Sequence, residues 1–232
     1  MKTIGLIGGM SWESTSLYYS ALNQGVRETL GGLHSAKICL YSVDFHEIEQ
    51  LQRLGKWQDT ADILVKAAKA VEAGGADLFL ICSNTMHKVA AEVQAAVKIP
   101  LLHIADATAN ELLTDGITKV GLLGTAFTMQ QEFYKGRLVE EFGIEVITPS
   151  AEQQQRVHEV IYQELCLGQI DKESKRYYLN VIEDLFDQGA QAIILGCTEI
   201  TLLVQQADTS IPLYDTTAIH AQSAVEAALD NV

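Results

Sequence analysis

The sequence is poor in proline, with three in 232 residues, and poor in aromatic residues, at 7%. That leaves no proline-rich linker or polyproline ligand, and no low-complexity stretch takes its place. No apolar run approaches the roughly 20 residues that a membrane-crossing helix needs. The opening Met1–Met10 carries only a short apolar stretch interrupted by Gly5, Gly8 and Gly9. It therefore reads as a first strand and turn rather than a secretory signal. Cysteine is sparse as well: Cys39, Cys82, Cys166 and Cys197 show no CxxC or Cys/His ligand spacing. This argues against a zinc site and a disulfide scaffold, and a reduced cytoplasmic setting fits. Basic residues are outnumbered, 16 against 30 acidic ones, for a net charge of −14. Such a balance disfavours nucleic-acid backbones and anionic membranes as partners.

What is present is a globular core. Hydrophobic residues make up 48% of the chain, and its length suits one large domain or two small ones. Apolar runs alternate with amphipathic stretches, the mark of βαβ units. Strands are expected at Thr3–Ile7, Ala36–Ser42, Asp77–Cys82, Leu101–Ile104, Lys119–Leu123, Glu145–Ile147, Ala192–Leu195 and Leu213–Tyr214. Helices are expected at Thr15–Leu30, Thr60–Ala73, Met86–Val97 and Ser174–Gln188, with glycines such as Gly74 and Gly143 where helices should stop.

Three stretches recur. Gly75–Thr85 overlays Gly189–Glu199 at an offset of 114, Val120–Thr125 overlays Ile4–Gly9 at 116, and Ile99–Leu102 overlays Ile211–Tyr214 at 112. The shared order and near-constant spacing predict a duplicated α/β unit. The expected architecture is two pseudo-symmetric parallel-sheet α/β domains facing a central cleft. Residues 1–103 with 213–232 would form the first and 104–212 the second. The final helix near Ala218–Leu229 is expected to return to the first half.

The repeat pairs Ser83 with Cys197, each just beyond the carboxyl end of an apolar strand, where open α/β sheets bind ligands. Acid/base groups facing opposite sides of one carbon suit stereoinversion, one removing a proton while the other delivers one. A thiol, with an ordinary pKa of about 8.5, can be tuned for that task. Helices starting near Asn84–Thr85 and Thr198–Glu199 would favour a thiolate and an anionic substrate group. Asn84, Thr85 and Thr198 could bind a carboxylate or simply cap those helices.

Ile4–Ser11, the Ser83-Asn84-Thr85-Met86-His87 loop and the Gly196-Cys197-Thr198-Glu199 loop together resemble the aspartate/glutamate racemase family. With Ser42-Val43-Asp44-Phe45 and His103–Thr108, the chain looks closest to the broad-specificity amino-acid racemase branch. The resemblance implies a cofactor-independent isomerase acting on a small-molecule amino acid, without a metal, and commonly a homodimer. It implies Cys197 and Ser83 as the acid/base positions. It also implies substrate contacts from Met10, Ser11, Asn84, Thr85, Thr125, Thr128, Met129 and Thr198.

The chain departs from the family pattern in three places. Ser83 stands where the family's first loop carries cysteine, and a hydroxyl needs an adjacent base to act as one. His87 is the nearest imidazole in sequence, more in keeping with a structural role, and Cys82 should point into the core. Asp44-Phe45-His46-Glu47 and Cys166 stand where aspartate-specific members place an arginine and a lysine, which argues against a carboxylate side chain on the substrate. Arg53, Lys135 or Arg137 would have to compensate. Two alternatives follow from Ser83: a decarboxylase that needs one thiol, and a catalytically weak amino-acid-binding protein. Gly5-x-x-Gly8-Gly9 lacks dinucleotide spacing. Trp12, Trp57 and the tyrosine pairs read as packing or dimer contacts, and the remaining histidines show no ligand spacing.

Overall fold

The structure is a computed structural model in which residues 1–230 are described. The chain divides into two compact units, Met1–Ile104 joined by the chain from His220 onward, and Ala105–Ile219.

The first unit runs β1 (Ile4–Gly8), α1 (Trp12–Leu30), β2 (Ile38–Ser42), α2 (Phe45–Arg53), α3 (Trp57–Ala73), β3 (Leu78–Ile81) and α4 (Ala90–Ala95). Its parallel sheet has the order β2-β1-β3. Side chains alternate along each strand, so the sheet packs on both faces. Ile4, Leu6, Leu78, Leu80 and Cys82 meet Tyr18, Leu22 and Val26 of α1 on one side. Ile7, Phe79 and Ile81 meet Leu64, Ala68 and Val71 of α3 on the other. The sharp turn after β1 depends on Gly9, whose φ is +91°. A Cβ there would lie 2.2 Å from the Val43 carbonyl oxygen, so no other residue fits.

The second unit runs α5 (Ile104–Thr114), β4 (Lys119–Gly124), α6 (Ala126–Gln130), α7 (Glu132–Phe142), β5 (Glu145–Ile147), α8 (Ala151–Gln163), α9 (Lys172–Asp187), β6 (Ala192–Gly196), α10 (Ile200–Leu203), β7 (Leu213–Asp215) and the first turn of α11 (Thr216–Leu229), which passes to the first unit at His220. Its sheet is parallel, in the order β5-β4-β6-β7. All of β6 is buried, and Ile193, Leu195 and Cys197 face a core built with Val157, Val160, Tyr178, Val181 and Leu185 of α8 and α9.

The duplication is visible in the registers. Gly5 pairs with Phe79 as Gly121 pairs with Ile193, and Phe79 bridges Leu101 as Ile193 pairs with Leu213. These pairs carry the three offsets read from the sequence. One clip also recurs. The Gln94 side chain donates to the Ile99 carbonyl and accepts from the Leu101 amide, at 3.1 and 2.6 Å. Gln206 makes the corresponding bonds to Ile211 and Leu213, at 3.1 and 2.9 Å.

Several elements differ from the sequence expectation. The strand expected at Leu101–Ile104 reduces to the single Leu101 bridge, and Ile104 already begins α5. The helix expected at Met86–Val97 is a 3-10 turn over Thr85–Val89 followed by the short α4. Residues 213–219, grouped above with the first half, lie in the second unit because β7 pairs with β6. From His220 onward the final helix does join the first unit, where Ala221, Ala224, Val225 and Ala228 cover the β1 and β3 side chains.

Candidate active site

In the second unit β6 ends at Gly196 because the polar Cys197-Thr198-Glu199 segment turns the chain into α10. The turn brings two donors onto one acid. The Cys197 thiol donates to Glu199 Oε2 at 3.0 Å, and the Thr198 hydroxyl donates to the same oxygen at 2.6 Å. Cys197 is only 8% exposed. Burial pushes its thiol well above the ordinary value, and the Glu199 carboxylate and then Cys166 push it further in the same direction. The resting group is a protonated thiol hydrogen-bonded to a carboxylate. This corrects the expectation that a helix N-terminus would favour the thiolate, since α10 spans just four residues and is outweighed by burial and Glu199. The geometry makes Glu199 the hydrogen-bond partner of the thiol.

The Ser83 loop of the first unit is organised differently. The Ser83 hydroxyl accepts from the Met86 amide at 3.4 Å. His87, 3% exposed, has its Nδ1 2.8 Å from the Ser83 carbonyl oxygen and its Nε2 3.2 Å from the Ile104 amide nitrogen. A carbonyl accepts and an amide donates, so Nδ1 carries the proton and Nε2 does not. Both ring nitrogens are thereby engaged with backbone, and neither serves the Ser83 hydroxyl. His220 holds the opposite tautomer, accepting from the Tyr18 hydroxyl at Nδ1 and donating from Nε2 to the Leu102 carbonyl, each at 2.8 Å. Cys82 is fully buried against the core, and burial raises its thiol as well.

The other sequence-selected residues fall at strand ends within their own units. In the first, Met10, Ser11, Asn84 and Thr85 are buried. Ser11 caps α1 by accepting from the Ser14 amide at 3.3 Å. In the second, Thr125 caps α6 by accepting from the Thr128 amide at 3.3 Å, and the two hydroxyls are 3.2 Å apart. Met129 is buried in the same apolar core as Cys197.

The three cations that could have replaced the missing pair are engaged elsewhere. Arg137 forms a two-pronged pair with Asp106, with its second prong at 2.7 Å. Lys135 lies 3.0 Å from Glu132 and Arg53 4.0 Å from Glu49. Trp57 carries the Lys88 ammonium 4.3 Å above its ring, whereas Trp12 and Tyr19 are exposed on α1. Among the described residues no group of three or more His, Cys, Asp or Glu side chains is placed to hold a metal. No described helix is long and apolar enough to cross a membrane.

The sequence profile described as Asp/Glu/Hydantoin racemase matches residues 7–224. The broad-specificity amino-acid racemase RacX of Bacillus subtilis (strain 168) is 25% identical over 97% of this chain and 98% of its own. A crystal structure from Yersinia pestis, of a candidate Asp/Glu racemase, is 58% identical and superimposes with a TM-score of 0.93 over 99% of this chain and all of that one. The structure of an aspartate racemase homologue from Pyrococcus horikoshii OT3 is 38% identical, with a TM-score of 0.85 over 98% and 99% of the two chains.

Proposed function

The chain belongs to the Asp/Glu/hydantoin racemase family, and from that premise we propose that it inverts the α-carbon of an amino acid without a cofactor, using Cys197 as the principal acid/base. The observation that carries this reading is the Cys197 thiol donating to buried Glu199 at 3.0 Å just past the end of β6. A carboxylate so placed can take the thiol proton when substrate arrives, leaving a thiolate to remove the α-proton. The same carboxylate raises the thiol's proton affinity, so the thiol keeps its proton until substrate arrives.

Ser83 takes the opposite role in this reading, delivering or relaying a proton to the other face. Its weakness as a base makes the Ser83 side the slower one. Ser11, Asn84, Thr85, Thr125, Thr128 and Thr198 bind the substrate's carboxylate and ammonium groups, and Met10 and Met129 form apolar walls. Because Arg53, Lys135 and Arg137 are each paired with a carboxylate, an uncharged substrate side chain is favoured. The protein works as a homodimer in the cytoplasm, where its four free thiols stay reduced.

A one-thiol decarboxylase is the second reading, favoured by the lack of any imidazole nitrogen available to Ser83 on His87. Incubating the protein in deuterated buffer with each common amino acid, and separately with substituted malonates, tests both. Deuterium entering the α-position with loss of optical rotation supports racemisation; carbon dioxide from malonates overturns it in favour of decarboxylation. Cys197→Ala must abolish α-exchange, and exchange that survives at the wild-type rate refutes the role of the thiol. Thermal stabilisation by one enantiomer without any exchange would indicate a binding protein instead.

A further inference from the structure

His158 lies on α8, far in sequence from both reactive loops and without ligand spacing to any other histidine. Its Nδ1 accepts a hydrogen bond from the Ala126 amide at 3.2 Å. An amide can only donate, so Nδ1 is unprotonated and the ring is in the neutral Nε2–H form. Phe127 stands edge-on to the imidazole at 6.1 Å and Tyr162 lies beside it at 4.8 Å. Burial lowers the pKa of His158, against a smaller opposing influence from Glu159, which keeps the ring neutral near pH 7.

The group at the other end of this bond is α6, a helix of five residues. So short a helix gains too few internal bonds to offset its own nucleation and needs an outside support. α8 can provide one. It starts from a reciprocal capping box between Ser150 and Gln153, and it buries Val157, Val160 and Ile161 in the core that also holds Cys197.

We propose that His158 is a positioning residue, tying α6 to α8 so that the Thr125 and Thr128 hydroxyls keep the spacing needed to grip the substrate. This role rests on the racemase reading. It predicts a defect in binding rather than in proton transfer, because Cys197 and Glu199 are on a different segment.

Two variants and one direct measurement test it. His158→Leu removes the acceptor, whereas His158→Gln keeps one. Hydrogen exchange at the Ala126 amide, followed by NMR, should quicken about tenfold or more in His158→Leu and much less in His158→Gln. With an equimolar mixture of the twenty common amino acids in deuterated buffer, α-exchange by His158→Leu should drop about five- to tenfold at low concentration, the factor that one lost hydrogen bond commonly carries. The deficit should shrink at saturating concentration and largely recover in His158→Gln. An equal deficit at both concentrations, or unchanged Ala126 protection, overturns the proposal. Independently of any variant, the wild-type imidazole must show an unprotonated Nδ1 in its nitrogen spectrum near pH 7, and a protonated Nδ1 refutes the tie. A wild type silent towards every amino acid overturns the racemase reading and this role together, whereas an active wild type with indifferent variants overturns this role alone.

Discussion

Replacing Glu199 by Gln separates two effects that the same carboxylate exerts on Cys197. The carboxylate raises the thiol's proton affinity, second only to burial, and it is also the nearest acceptor for the thiol proton. A hydrogen bond to a charged group contributes about 1.5–3 kcal/mol, which corresponds to roughly ten- to a hundredfold in a rate or an equilibrium. Glu199→Gln preserves the shape of the side chain and keeps an oxygen for the Thr198 hydroxyl, so the fold should survive. Without the negative charge the thiol becomes more acidic, and its alkylation by iodoacetamide at pH 8 should speed up severalfold. Without a base to receive the thiol proton, α-proton exchange should fall by about ten- to a hundredfold. The two assays, run on the same preparation, are expected to move in opposite directions. Faster alkylation with faster exchange would show that Glu199 only restrains the thiol. Slower alkylation would show that Glu199 does not raise the thiol's proton affinity, and that part of its assignment would be wrong.

Ser83→Cys should raise the rate of inversion, because the second position then carries a thiol; an unchanged rate in a folded variant would mean that Ser83 does not address the substrate. His158 has a native pKa below its ordinary 6.5. The unfolded chain therefore takes this proton at higher pH than the native one, so the stability it contributes is complete above pH 6.5 and is lost as pH falls from there towards the native value. Urea midpoints measured from pH 8 to pH 5 should fall more steeply for wild type than for His158→Gln, and parallel curves would refute that linkage. Gly9→Ala places a Cβ 2.2 Å from the Val43 carbonyl oxygen at a φ of +91°, and should cost at least about 3 kcal/mol of stability in denaturant titrations. A near-wild-type midpoint would show that this turn can relax.

The strands of both sheets were readable because buried parallel strands leave continuous apolar runs such as Ala192–Leu195 and Leu78–Ile81. The repeat was readable because offsets survive where individual residues have changed. Four things were not. The Leu101 segment makes a single bridge, since Pro100 precedes it and Ile104 already opens a helix, so its three apolar residues overstated it. The break after Asn84 into a 3-10 turn leaves no periodic signal over five residues. The role of His158 depends on a bond to a backbone amide 32 residues away, and a side chain bonded to backbone imposes no spacing rule on the sequence. Glu199 was visible as a residue but its function was not, because adjacency in sequence does not tell whether a turn will fold a carboxylate back onto the thiol two positions earlier.

The paired glutamine clip carries a practical consequence. Gln94 and Gln206 fasten the same backbone atoms in each unit, and the strand registers beneath them coincide. The two halves therefore present one chassis with two different fittings at the strand end. Exchanging residues 82–85 for 196–199, or the reverse, asks the chassis for new side chains but no new backbone path up to that point. The duplication thus makes the protein its own donor for loop grafts, and the difference between its two strand ends can be moved as a cassette.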